Sequence, residues 1–144
     1  MAERSQGSKK MYKKAIDHCF RWIDAQMLSF DRGRWGVYER ICTDTTERIA
    51  LSRPDTASEY IKAAQLYRSA FNDNAHDDVS ENLLRWLAYA QNTQKENGNT
   101  AFPFSLLEGS KKYQSDKLLY QNDNGKLILN LLDLYAKGGQ KRAS

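Results

Sequence analysis

The chain has 144 residues, 40% hydrophobic and 28% charged, which suits one folded domain with a modest core. The mean hydropathy is −0.77, and no run approaches the roughly 18 apolar residues of a membrane span, so we expect no membrane partner. The basic start of the chain is not followed by the apolar stretch of a signal peptide, so we expect a cytoplasmic location.

The net charge of +4 comes from the two ends of the chain. Eight of the 22 basic residues lie in the first 14 and the last eight positions, and the body between them holds 14 basic and 17 acidic residues. A protein that binds nucleic acid concentrates positive charge on its folded surface. The slightly acidic body therefore predicts no nucleic-acid partner.

Cysteine and histidine usage gives no sign of a metal or redox site. Cys19 and Cys42 form no CxxC motif, and the position of Cys19 in an apolar helical stripe predicts a buried, reduced thiol. His18 and His76 are isolated, and no cluster has the spacing of a metal site. Nucleotide-binding and serine-nucleophile motifs are also lacking, so we expect neither a metal nor an organic cofactor.

The first predicted element is an amphipathic helix over residues 10–29. Its apolar residues recur at spacings of three and four, which predicts one buried face. That face holds Tyr12, Ala15, Ile16, Cys19, Ile23 and Met27. The charged residues of the opposite, solvated face are Asp17, Arg21 and Asp24.

Residues 34–53 lack a helical stripe and alternate too poorly for a long strand. We predict an ordered loop with short extended pieces near 36–38 and 48–51.

Helices two and three have recognisable starts. Ser52 and Asp55 have the spacing of a capping box with Ser52 as N-cap, and the helix is expected to end near Asn72. Asp78 predicts a similarly capped start for helix three. The expected buried stripes are Ala57, Tyr60, Ile61, Ala64, Tyr67 and Phe71 in helix two, and Val79, Leu83, Trp86, Leu87 and Ala90 in helix three.

Residues 122–139 predict a fourth helix that is apolar almost all round, and such a helix needs protein on more than one side. It repeats helix two at an offset of 68, because 55–67 and 123–135 both run from an aspartate through a helical pattern to Leu-Tyr. We expect these two helices to form an inner layer, lying side by side and pointing the same way.

The repeat extends to the rest of the chain. Trp22 and Trp86 match at an offset of 64, and the aromatic loops 35–38 and 101–104 match at an offset of 66. The repeating unit is therefore an outer, half-polar helix, an aromatic loop and an inner helix. A helical repeat cannot bury its faces alone, so an uncovered end exposes apolar surface.

This arrangement resembles the (α/α)6 toroid of the six-hairpin glycosidase-like proteins, on the motifs WGVYER, SRPDT, AFPF and YQNDNGKLILNLLDLY. The likeness covers residues 12–139, two hairpins of six. It implies an all-α fold of two α-hairpins at 11–139, between a flexible leader at 1–10 and a tail at 140–144. It also implies glycoside hydrolase-like carbohydrate processing in a complete toroid, with an oligosaccharide or polysaccharide substrate. The 144 residues alone are expected to be inactive.

In such toroids the loops that lead into the inner helices line the substrate cleft. The resemblance therefore implies a catalytic pair of carboxylates, which sugar hydrolysis needs, among Asp55, Asp123 and Glu39. The branch similar to unsaturated glucuronyl hydrolases places its catalytic aspartates at the starts of neighbouring inner helices, as Asp55 and Asp123 are. The implied substrate contacts are Trp35, Tyr38, Phe102, Phe104 and Asp116.

These residues also have structural interpretations. The capping box explains Asp55 in full, and we favour that role. The helix dipole, which favours a negative charge at a helix N-terminus, explains Asp123. An ion pair with an arginine explains Glu39 equally well, and packing on helix ends explains the aromatic residues. The alternative function is a non-catalytic helical module that binds a partner or itself through an exposed apolar face.

Overall fold

The computed structural model describes residues 2–31, 34–38, 51–96, 101–102, 106–107 and 121–140. Its helices in this part of the chain are α1 Ala2–Gln26, α2 Pro54–Phe71, α3 Asp77–Glu96 and α4 Gln121–Gln140. Two short antiparallel pairings join β1 Leu28–Asp31 to β2 Arg34–Val37, and β3 Leu51–Ser52 to β4 Leu106–Leu107. The predicted all-α class with four main helices is confirmed. None of the described helices is long and apolar enough to cross a membrane.

The first helix begins earlier and ends earlier than predicted. Residues 2–10, expected to be a flexible leader, are helical. The helix ends at Gln26, and the chain then forms a β-hairpin in which Leu28 pairs with Val37. Both side chains are buried there, and burying two aliphatic side chains explains why the chain leaves the helix at this point.

The region expected to be an ordered loop contains the strands β2 and β3. Tyr38 forms an isolated bridge with Ser52, and the Arg53 N–H donates a hydrogen bond of 3.2 Å to the carbonyl of Val37. These bonds hold the entrance of α2 against the hairpin. Residues 39–50, which include one predicted extended piece in part, lie outside the described residues.

The inner helices α2 and α4 lie side by side and point the same way, as predicted. Hydrogen bonds join Arg53 to Asp123, Ser58 to Asn130 and Lys62 to Asn130, at sequence separations of 70, 72 and 68. The residue numbers of both partners increase together along the interface, so the two helices run parallel. The offset of 68 found in the sequence is therefore close to the spatial register of the two helices.

The other two helices pack against α2. α1 runs antiparallel to it, because Asp17 contacts Tyr67 whereas Asp24, further along α1, contacts the earlier Tyr60. α3 follows α2 after a turn that begins at Asn72, whose left-handed backbone (φ 55°, ψ 45°) lets its N–H bond to Arg68.

The core surrounds α2, and the predicted stripes of helices two and three form most of it. Its buried residues are Phe20, Leu28, Val37, Ala57, Tyr60, Ile61, Ala64, Tyr67, Leu83, Trp86, Leu87 and Leu127.

The predicted buried face of helix one is wrong, as is the predicted burial of Cys19. Of that face, Ile23 and Met27 are half-buried, whereas Tyr12, Ala15, Ile16 and Cys19 are exposed. Phe20 is instead the buried side chain in the described part of α1. The reason lies in α2, whose buried Tyr60 and Tyr67 hydroxyls need acceptors. Asp24 and Asp17 supply them, at 2.7 and 2.5 Å, so the face expected to be solvated turns inward.

Candidate functional site

The structure brings together the two aspartates that open the inner helices. Asp55 is in the first turn of α2 and Asp123 is in the first turn of α4. Because the helices are parallel neighbours, their N-terminal ends meet at one end of the fold. This end, which we call the inner-helix rim, consists of Arg53, Asp55, Asp123, Asn124 and Phe102.

Arg53 lies between the two carboxylates. Its Nε and Nη2 donate hydrogen bonds of 3.0 Å each to the two oxygens of Asp55, and Nη2 also donates one of 2.9 Å to Asp123. The side chains of Arg53 and Asp55 are 18% and 13% exposed, so solvent screens this ion pair only in part. A guanidinium has donors and no acceptor, so in this arrangement the bonded oxygens act as acceptors.

The capping-box prediction for Ser52 is wrong. Ser52 is a buried residue of β3, and the N-cap position of α2 is Arg53, which makes no side-chain capping bond. The carboxylate of Asp55 is occupied by Arg53, and its carbonyl accepts a bond of 2.7 Å from the Ser58 hydroxyl. The structural role of Asp55 is therefore to hold an arginine.

Two of the predicted substrate contacts lie near the rim. The side-chain amide of Asn124 accepts a bond of 2.8 Å from the Phe102 N–H and donates one of 3.0 Å to the Phe102 carbonyl. The Phe102 backbone is thereby fixed to Asn124, the residue after Asp123, and its half-buried side chain packs against the core. Tyr38 is paired with Ser52, directly before Arg53, whereas the half-buried Trp35 packs against the core. Glu39, Phe104 and Asp116 lie outside the described residues.

A polar seam continues between α2 and α4 below the rim. The buried amide of Asn130 donates to the Ser58 hydroxyl at 3.0 Å and to Glu59 at 3.2 Å, and accepts a bond of 3.1 Å from Lys62. Burial alone would raise the pKa of Glu59. The Asn130 bond and the ion pair with Lys126, at 3.1 Å, outweigh it, so the pKa is lowered.

A second network ties α1 to α2 and to the turn after it. The Tyr67 hydroxyl donates to Asp17, and the Lys13 ammonium donates to Tyr67 and contacts Asp73 at 3.0 Å. The bonds to Tyr67 and Asp73 raise the pKa of Lys13 above its ordinary value. Burial and then the bond to Asp17 raise the pKa of Tyr67. The bond from Tyr67 lowers the pKa of Asp17, and the bond from Lys13 lowers that of Asp73.

The sequence interpretation missed Arg53 and Asn124, which organise the rim. Arg53 stands two residues before Asp55, a spacing that allows an ion pair, but the same segment also fits a capping box between Ser52 and Asp55. Asn124 precedes a glycine and so resembled a turn residue. No local pattern indicates that it holds both backbone groups of a residue 22 positions earlier.

No protein family, no curated protein and no solved structure gives a significant match to the chain. Within the described residues, no group of three or more His, Cys, Asp or Glu side chains is arranged to hold a metal ion.

Proposed function

We propose that this chain is a helical-repeat module that works by self-association, with the apolar face of α4 as the contact surface. The observation that carries this proposal is the exposure of four large apolar side chains along α4. We call them the α4 stripe: Ile128, Leu129, Leu132 and Tyr135, which are 51%, 67%, 58% and 80% exposed.

The repeat identifies these positions as ones that require cover. At the offset of 68, the stripe corresponds residue by residue to buried positions of α2, namely Tyr60, Ile61, Ala64 and Tyr67, which are 5%, 1%, 2% and 4% exposed. In α2, Tyr60 and Tyr67 contact Phe20 and two aspartates of α1, and α3 packs against α2. A contiguous exposed apolar surface of this kind is typical of an association site.

Sedimentation velocity over about 1 μM to 1 mM tests the proposal, since this range covers weak to moderate affinities. The weight-average mass should rise with concentration. Leu129→Lys should move the midpoint of the rise at least about tenfold upwards, because it places a charge at an interface. The matched control is Leu84→Lys, an exposed leucine of α3 outside the stripe, which should associate like the wild type. A wild-type mass that stays monomeric over the whole range would overturn the proposal.

Carbohydrate processing is the second candidate, and the convergence of Asp55 and Asp123 favours it. Both carboxylates bind the same Nη2, so their bonded oxygens are no farther apart than the sum of 3.0 and 2.9 Å. This is shorter than the roughly 6.5 Å or more that seats a water in inverting glycosidases, and is closer to the spacing of about 5 Å in retaining ones. Phe102, whose backbone is bonded to Asn124, is the candidate aromatic contact for a sugar ring.

We rank this candidate second because Arg53 fills the space between the two carboxylates. A substrate would have to displace a guanidinium that makes three hydrogen bonds. The proposed substrate is an oligosaccharide or polysaccharide, with Asp55, Asp123 and Glu39 as the candidate catalytic carboxylates.

Isothermal titration with neutral and uronic-acid oligosaccharides, paired with a reducing-sugar assay, tests the second candidate. Asp123→Asn should abolish a measured turnover while the melting temperature changes by only a few degrees. Asp78→Asn, an exposed aspartate at the start of α3, is the matched control. A large loss of melting temperature with no sugar bound by the wild type would assign the rim a purely structural role.

A further inference from the structure

The other end of the chain also exposes apolar residues, and the repeat again indicates their partner. At the offset of 64, Cys19, Trp22 and Ile23 of α1 correspond to Leu83, Trp86 and Leu87 of α3. The three α3 residues are buried in the core that α3 forms with α2. Their α1 counterparts are not: Cys19 is exposed, Trp22 is 51% exposed and Ile23 is half-buried.

The repeat also identifies residues on α2 whose counterparts on α4 are covered. α4 packs toward α2 with Leu127, Leu131 and Leu134. At the offset of 68 their counterparts on α2 are Glu59, Ala63 and Leu66. Ala63 and Leu66 are exposed, and Glu59 is half-buried at the edge of the α4 interface.

All of these α1 and α2 residues except Leu66 line one concave surface. A groove of about 540 Å³ lies between α1 and α2, and Val37 of the hairpin also lines it. We call it the α1–α2 groove. Its exposed or half-buried lining residues are Ile16, Cys19, Trp22, Ile23, Met27, Thr56, Glu59 and Ala63.

The contact between the first and the second repeat has two sides, and the chain carries a second copy of each side. Inside the fold, the second repeat presents α3 and α4 to α2, and this junction is buried. At one end of the chain, Leu129 and Leu132 of the α4 stripe repeat Ile61 and Ala64 of the receiving helix, whereas Ile128 and Tyr135 repeat tyrosines that contact α1. At the other end, the α1–α2 groove repeats the presenting side. In the described part of the chain, both end surfaces are uncovered.

We propose that two copies of this chain associate head to tail, with the α1–α2 groove of one copy seated on the α4 stripe of the next. This inference rests on the proposed self-association and specifies its geometry. The contact joins two different surfaces, so it is heterologous and leaves one groove and one stripe free in every dimer. Further copies add at both ends until a ring closes or a filament forms.

A mixing experiment tests the geometry. Leu129→Lys blocks the stripe, and Trp22→Lys blocks the groove; both substitutions add positive charge, so the two blocked surfaces do not attract each other. Each variant alone should be monomeric at a concentration where the wild type forms species larger than a dimer. Mixed in equal amounts, they should form a dimer that grows no further, because only one intact groove and one intact stripe remain.

The outcomes separate this inference from the proposed function. A monomeric wild type overturns both. If Trp22→Lys associates like the wild type, or if the mixture stays monomeric while the wild type associates, the head-to-tail geometry is wrong and self-association stands. Circular dichroism verifies that both variants fold, and Ile16→Lys replaces Trp22→Lys if that variant unfolds. Leu84→Lys, outside both surfaces, should assemble as the wild type does.

Discussion

α2 and α4 each have an aspartate in the first turn, run parallel and carry apolar residues at matching positions, but their surroundings differ. α2 contacts α1, α3 and α4, and the hydroxyls of its buried Tyr60 and Tyr67 are paired with aspartates of α1. α4 packs toward α2 on one side and exposes its stripe. The comparison shows that a helical pattern defines which face of a helix is apolar, whereas its neighbours decide whether that face is buried.

The largest expected difference between the two helices is in core truncation. Ile61→Ala should lower the free energy of unfolding by about 2–5 kcal/mol, because it leaves a cavity around a side chain that is 1% exposed. Leu129→Ala, its counterpart at the offset of 68, should cost about 0.5 kcal/mol or less in the monomer. Urea unfolding at low protein concentration measures both. Equal losses would mean that α4 is covered within the single chain.

The next prediction concerns the rim, where the two helices are joined. Arg53→Ala should lower the free energy of unfolding by about 1–3 kcal/mol, because it leaves two neighbouring carboxylates without their shared charged donor. Combining Arg53→Ala with Asp123→Asn in a double-mutant cycle isolates the coupling between these two side chains. A coupling energy near zero would show that the ion pair does not hold the two helix starts together.

A smaller effect is expected from pH, and it distinguishes Tyr67 from its counterpart Tyr135. Hydrogen bonding lowers the pKa of Asp17 and Asp73 below the ordinary value of 3.8. A carboxyl group with a lowered folded-state pKa contributes stability above its unfolded pKa and loses it as the pH falls through the folded value. The melting temperature should therefore decrease as the pH falls through about 4, where a free aspartate is about half protonated.

Asp17→Asn should flatten that acid dependence, and Asp78→Asn should leave it unchanged. Lys13 has the opposite sign: its raised pKa gives stability that is complete below the ordinary lysine pKa and is lost only as the pH rises through the higher folded value. If the melting temperature depends on pH in the same way in the wild type and in Asp17→Asn, then the Asp17 bond does not help to hold α1 against α2.

The smallest expected effect is in the reactivity of Cys19. The thiol is exposed in the single chain and lies in the α1–α2 groove, so head-to-tail contact should cover it. In a Cys42→Ser background, alkylation should slow severalfold as protein concentration rises. The same chain with Leu129→Lys should react at a constant rate. Equal slowing in both chains would place the contact elsewhere.

Much of the fold was predictable because the strongest sequence signals are local and periodic. The stripes of α2 and α3 and the repeat at the offset of 68 all appear in the structure. The convergence of Asp55 and Asp123 followed from that repeat, since equivalent positions of parallel neighbours meet at one end. The β1–β2 hairpin was not predicted, because four-residue strands carry little periodicity and Leu28 also fits the helical pattern of α1.

The sequence alone determined the helices, their apolar faces and the parallel inner pair, because each depends on the spacing of residue types along the chain. Only the tertiary structure decided which face of α1 turns inward, since the buried hydroxyls of Tyr60 and Tyr67 require Asp24 and Asp17 as acceptors. It also decided that Arg53 bridges the two aspartates and that the α4 stripe stays exposed. These features depend on the partners that meet in space, and no local pattern records them.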